Sequence, residues 1–268
     1  MRINNNIMAF NANRNLGGSN MRLGKSLEKL SSGFRINRAG DDAAGLVISQ
    51  KLRAEIGGLK QAARNAQDGI SFVQTAEGAL SEVHNMLGRM RDLAVQAAND
   101  TNDAAARTAI DAEMDELQAE ITRIGTDTTF AGAAVFGVAG GLQLQVGSEG
   151  TGTAGQITIN TVPAPGVVGH DVTDATTSRA TIESIDAQIA LISASRGTLG
   201  ATQNRLESAI NNLQVTTENL AASESRIRDT DMAQEMVQFT KNQILQQAGT
   251  AMLAQANAVP QTVLSLLQ

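Results

Sequence analysis

The run GTGTAG at residues 150–155 fits G-x-G-x-x-G, the spacing that cradles a dinucleotide's pyrophosphate. That chemistry needs a strand before the run and a helix N-terminus after it. Here an alternating, strand-like run beginning at Gln156 follows instead, so no cofactor is expected. The two histidines, His84 and His170, lie far apart, one within a helical stretch and one in a loop. The acids Asp111, Glu113, Asp115, Glu116 and Glu120 are spread around a helix and read as a solvated face; metal binding is the weaker alternative. With no Cys, thiolate catalysis and Cys-based metal sites are excluded. No P-loop lysine, H-E-x-x-H or G-x-S-x-G run occurs. The sequon Asn99-Asp100-Thr101 reads as chance. The expectation is a protein without catalytic, cofactor-binding or metal-ligating residues.

Charge and composition narrow the partners. The 268 residues carry a net charge of −6, and six Phe are the only aromatics. Base stacking has little to work with, and a general polyanion binder is disfavoured. Residues 1–40 carry seven basic groups against the single acid Glu28, but as isolated residues and not as a block. Neither a nucleic-acid nor a lipid arm is expected. Residues 242–268 have no charged side chain, yet they hold too many Gln and Asn to sit in a bilayer. No membrane insertion is expected. The first 25 residues lack the apolar core of a cleaved secretory signal.

The elements follow from periodicity. Every seventh residue from Leu52 is apolar: Leu52, Leu59, Ala66, Val73, Leu80, Leu87 and Ala94. Companions at Ile56, Ala63 and Ile70 change phase to Ala76, Val83, Met90 and Ala97, which predicts one long helix with a stammer near residue 73. A second stripe runs Ile185, Ile192, Leu199, Leu206, Leu213, Leu220 and Ile227, and a shorter one Ile110, Met114, Leu117, Ile121 and Ile124. Leu23, Leu27, Leu30 and Phe34 mark an N-terminal helix. Asp231, with Gln234 three residues on, marks the start of a C-terminal one. That last helix alternates apolar residues with uncharged amides, which suits burial against copies of itself; a frayed tail in the free chain is the equal alternative, and the two are compatible as two states of one segment. Leu142, Leu144 and Val146, then 156–162, alternate as the strands of a long-looped hairpin. The fold class expected is mainly α: a long antiparallel helical rod or coiled coil with a small β-hairpin region in the middle of the chain.

Several long runs resemble bacterial flagellin. They are MRINNNIMAFNANRNL, LEKLSSGFRINRAGDDAAGLVISQKLRAEI, NAQDGISFVQTAEGALSEV and GRMRDLAVQAAN, then QNRLESAINNL and SRIRDTDMAQEMVQFTKNQILQQAGTAMLAQANAVPQTVLSLL. They cover roughly residues 1–130 and 180–268, with only a short Gly-rich segment where larger members carry outer domains.

The resemblance implies a structural subunit that self-assembles into the flagellar filament for motility, secreted unfolded without a cleaved signal. It implies a terminal inner-tube domain from residues 1–40 and 228–268, and a helical rod at 41–227 with the hairpin segment at about 128–178. It implies a subunit-packing surface that a host Toll-like receptor reads in many members, at Arg89, Met90, Arg91, Leu93 and Glu113; Asp92 stands where Glu is common. It implies a terminal segment for assembly and for a flagellar secretion chaperone, with Met236, Phe239, Ile244, Leu245, Leu253, Val263, Leu264, Leu266 and Leu267. Other copies of the chain, hook–filament junction proteins and cap proteins are the further partners implied. A hook–filament junction protein and a cytoplasmic coiled-coil binding module are the alternative readings, with an enzyme of the central hairpin more distant.

Overall fold

In the computed structural model, residues 5–138, 140–148, 155–160, 162–166 and 168–265 are described, with side chains through residue 259. The apolar stripes fold as helices: α1 Ile7–Ser32, α2 Ala43–Ala97, α3 Ala104–Asp127, α4 Ala175–Arg228 and α5 Met232–Ser265. Their starts carry the expected short polar side chains. Asn6 Oδ1 accepts from Ala9 N at 3.1 Å, Asp42 Oδ1 from Gly45 N at 2.9 Å and Asp103 Oδ1 from Ala106 N at 2.8 Å. Asp231 Oδ1 accepts from Ala233 N at 2.9 Å and Gln234 N at 3.1 Å, capping α5. α1 stops at Gly33, whose φ of 75° is a left-handed conformation that glycine adopts without a Cβ penalty.

Contacts divide the chain into a terminal unit, Met1–Ala54 with Asn219–Gln268, and a central unit, Glu55–Glu218. In the central unit, α2 and α4 run antiparallel. Arg91 pairs with Asp186 at 2.7 Å, Arg196 with Glu77 at 3.5 Å, and Ala66 and Ile70 cluster with Leu206. The sevenfold stripe of α2 is buried from Leu59 to Ala94, and so are Ile185, Ile192, Leu199, Leu206 and Leu213 of α4. Ile110, Met114 and Ile121 bring α3 into the same core. Each Leu, Ile, Val or Met among them contributes about 1.5–3 kcal/mol on leaving water.

The middle of the chain adds two hairpins. β3 Leu142–Gln145 pairs antiparallel with β4 Gln156–Ile159, placing Leu142 opposite Ile159 and Leu144 opposite Ile157. This is the hairpin the alternation predicts. A second one, β1 Thr129–Phe130 with β2 Ala133–Ala134, seats Phe130 edge-on against Phe72, with centroids 5.8 Å apart. The run at 150–155 falls outside the described residues except for Gly155, which leads directly into β4.

The terminal unit is built differently. α1 and α5 pair antiparallel: Asn6 Nδ2 donates to Ala256 O at 2.7 Å, and Lys29 meets Glu235 at 3.7 Å. Between these, Gly249 lies against Leu16. Among the described side chains, Ser19, Ser26, Asn242 and Ala256 are the buried residues of these two helices. At the helix ends, Arg35 N donates to Arg228 O at 2.6 Å and Thr230 N to Gly33 O at 3.0 Å, while the Arg228 guanidinium lies 4.4 Å from the Phe34 ring centre. Ile36, from the α1–α2 connection, is a large apolar side chain buried in this unit. Both buried apolar clusters among the described residues belong to the central unit.

Candidate assembly surface

What the terminal unit lacks in buried apolar side chains it presents outside. On α1, Ile7, Met8, Phe10, Met21 and Leu27 are exposed, Met21 to 71%. On α5, Met232, Met236, Val237, Ile244, Leu245 and Met252 are exposed. Helical spacing puts Met236, Val237, Ile244 and Leu245 in one apolar patch with Thr240 and Lys241. Met8, Leu16, Leu245 and Met252 line a groove of about 620 Å³ between α1 and α5. Small and polar residues in the seam let the two backbones approach but bury little apolar area. Large apolar side chains facing water in such density mark a surface that another macromolecule covers.

Of the segment expected for assembly and chaperone capture, Met236, Ile244 and Leu245 are exposed, while Phe239 and Leu253 are half-buried. Val263 and Leu264 lie in the last turns of α5, and Leu266 and Leu267 lie outside the described residues.

The stretch at 89–95 divides by helix face. Arg89 is exposed and donates to Glu113 Oε1 from Nε at 2.9 Å and from Nη2 at 2.6 Å. Arg91 Nε donates to Asp186 Oδ1 at 2.7 Å, and that hydrogen bond is the largest reason its guanidinium is held more firmly protonated than usual. Met90 and Leu93 correct the surface expected there: at 0% and 2% exposure they belong to the core of the central unit. Residues 90, 93, 94 and 97 form the inward stripe of α2, so the turn of the helix carries Met90 and Leu93 away from the face that presents Arg89 and Arg91. Of the five residues, Arg89, Arg91 and Glu113 are exposed, and so is Val95.

One cluster was not legible in the sequence. His170 Nε2 lies 3.1 Å from Asp115 Oδ1 and 3.9 Å from Asp111 Oδ1, while Nδ1 lies 3.2 Å from Val168 O. Val168 N in turn donates to the buried Gln118 Oε1 at 2.8 Å. Next to it, the Thr173 hydroxyl and N–H hold the Asp171 carboxyl below the usual carboxylate range. These contacts pin the chain before α4 onto α3, so part of the acid face is engaged by His170 instead of water alone. His84, on α2, is half-buried, and its Nδ1 has no hydrogen-bond partner. Among the described residues no group of three or more His, Cys, Asp or Glu could hold a metal ion, and no helix is long and apolar enough to cross a membrane.

A chain with a packed central unit and a helix pair whose apolar side chains stay exposed has a surface for another macromolecule to cover. Comparison with known proteins gives the family. Residues 3–139 match the bacterial flagellin N-terminal helical region, and residues 182–267 match its C-terminal helical region. The flagellin of Halalkalibacterium halodurans is 50% identical, with all of both chains covered. The flagellin of Bacillus subtilis is 45% identical, and a flagellar filament 33 kDa core protein of Treponema phagedenis 44%, again over all of both chains. A crystal structure of Bacillus cereus flagellin, 30% identical, superposes with a TM-score of 0.50 over 60% of this chain and 94% of that one. The chain belongs to the bacterial flagellin family. It is a short structural subunit of the flagellar filament, without a large outer domain, and assembles into a polymer of itself. Neither the hook–filament junction reading nor the coiled-coil module is favoured by these relatives.

Proposed function

We propose that the exposed apolar faces of α1 and α5 are the contacts through which copies of this chain join, forming the inner wall of a secreted, extracellular filament with no catalytic role. One observation carries this: the terminal unit exposes Phe10, Met21, Val237 and Ile244 while both buried apolar clusters lie in the central unit. Polymerisation would bury those faces at ~25 cal/mol per Å² of apolar surface. It would also order the pair, which costs about 1–2 kcal/mol per residue fixed. The balance favours assembly only when many contacts form together, so growth is nucleated. The absence of charge after Lys241 fits burial against like copies, where amides can pair and a charge would be stranded.

The same face offers a reason for a secretion chaperone, since an apolar patch of this kind must be covered before export. Cap and hook–filament junction proteins would meet it at the filament's two ends. On the central unit, Arg89, Arg91 and Glu113 form a charged packing surface, and it is there that a host Toll-like receptor would dock. The domains proposed are a terminal inner-tube domain from residues 1–40 and 228–268 and a helical rod domain at 41–227 that includes the hairpin segment at about 128–178.

The test is seeded elongation. Purified chain is added to sheared filament fragments and growth is followed by sedimentation and electron microscopy. Ile244→Asp with Leu245→Asp is expected to lower elongation at least tenfold while the central unit's thermal transition stays in place. Normal growth by that variant would sink the assignment of this face.

A further inference from the structure

Sulfur in this chain is confined to thioethers: nine Met and no Cys. Their placement is not uniform. Met8, Met21, Met232, Met236 and Met252 are all exposed, and all lie on α1 or α5. In the central unit Met90 and Met114 are fully buried and Met86 is half-buried; Met1 lies outside the described residues. A thioether in water is open to peroxides, whereas one inside a packed core is shielded. The chain therefore concentrates its oxidisable sulfur on the surface through which copies join, and keeps it from every other exposed position among the described residues.

We propose that these five methionines are a site of reversible sulfoxidation that switches the free subunit's competence to polymerise. The proposal rests on the assembly reading above. The reactant is a peroxide. The sulfur lone pair attacks one oxygen of hydrogen peroxide, an S–O bond forms, the O–O bond breaks, and water leaves. Sulfur loses two electrons and the peroxide gains them. The return step takes two thiols per sulfoxide and gives thioether, disulfide and water.

The consequence follows from where the oxygen is placed. Met236 sits with Val237, Ile244 and Leu245, whose side chains offer no donor; Lys241 shares the patch, and the Thr240 hydroxyl there already donates to Met236 O at 2.9 Å, while Met8 and Met252 line one groove with Asn11, Asn15 and Gln255. A sulfoxide there is a strong acceptor on a face that must lose its water to pack. An unoxidised Met, flexible and apolar, adapts to the partner. Once packed in the polymer, the same sulfurs are withdrawn from peroxide, so the switch acts on the subunit before assembly and not on the filament.

The test uses the full chain and hydrogen peroxide. Monomer is oxidised briefly, sulfoxides are located by peptide mass spectrometry, and seeded elongation is compared with the same protein untreated. Sulfoxide is expected on the five exposed methionines before Met90 and Met114, with elongation at least tenfold slower. Methionine sulfoxide reductases A and B with dithiothreitol are expected to restore it. A chain with Met8→Leu, Met21→Leu, Met232→Leu, Met236→Leu and Met252→Leu, measured against its own untreated rate, is expected to change less than twofold. Sulfoxide on the five with elongation unchanged overturns the switch, and so does an equal loss in the leucine variant. If the variant does not elongate at all, reductase repair of the oxidised native chain decides, and no recovery counts against the proposal. Failure of untreated native monomer to elongate overturns the assembly reading itself, a result separate from these.

Discussion

Neighbouring residues on α2 do opposite jobs. Met90 is wholly inside the central core, while Arg91 reaches out to Asp186. Replacing Met90 with Ala removes buried methylenes and leaves a cavity, a loss of about 2–5 kcal/mol. Replacing Arg91 with Ala removes an exposed ion pair that water and salt screen, so little stability goes with it. Thermal denaturation of the two variants separates them: Met90→Ala is expected to lower the central transition strongly and Arg91→Ala hardly at all. Equal effects would mean that the stretch is not divided by helix face. The same residues show what was legible in the sequence. The stripe Leu59, Ala66, Val73, Leu80, Leu87 and Ala94 could be counted, and it is buried as counted. The cap at Asp231 could be read from three residues. His170 beside Asp115 could not, because 55 residues separate them and nothing local couples a loop histidine to one acid among several on α3.

Elements meet through choices that are visible only in three dimensions. Gly69 lies inside α2, where glycine costs about 1 kcal/mol relative to Ala. The structure supplies the reason: a Cβ there would run into the Leu144 side chain of β3, and the Leu206 side chain lies 3.4 Å away. Gly69 is the seat on which the β3–β4 hairpin rests against α2. Gly69→Leu is expected to lower the stability of the central unit by about 1–3 kcal/mol through overpacking, despite its better helix propensity. Calorimetry is the measurement, and an unchanged or raised melting temperature would mean the hairpin is not seated there. The β3–β4 pair was readable because four-residue strands alternate. The β1–β2 pair has two residues a side, too few for a period, and was missed for that reason.

At the scale of the whole molecule, stability is distributed between two units built on different principles. The central unit closes a core over Leu80, Leu87, Met114 and Ile185. The terminal unit buries Ser19, Ser26 and Asn242 along its helix pair and leaves Phe10, Met21, Val237 and Ile244 exposed. Local opening is governed by how much apolar contact must be broken, so the two units open at different free energies in a lone chain. Hydrogen exchange measures this directly. In the monomer, amides of residues 7–32 and 232–259 are expected to exchange fast and those of the central core slowly. In the filament, the terminal helices are expected to become protected by at least tenfold, because copies cover the faces that water covered before, while the central core changes little. Slow exchange of the terminal helices in the monomer would show that they are stable alone. The uncovered apolar faces of α1 and α5 would then be no driving force for ordering on assembly, and the lattice would have to be held by the central unit.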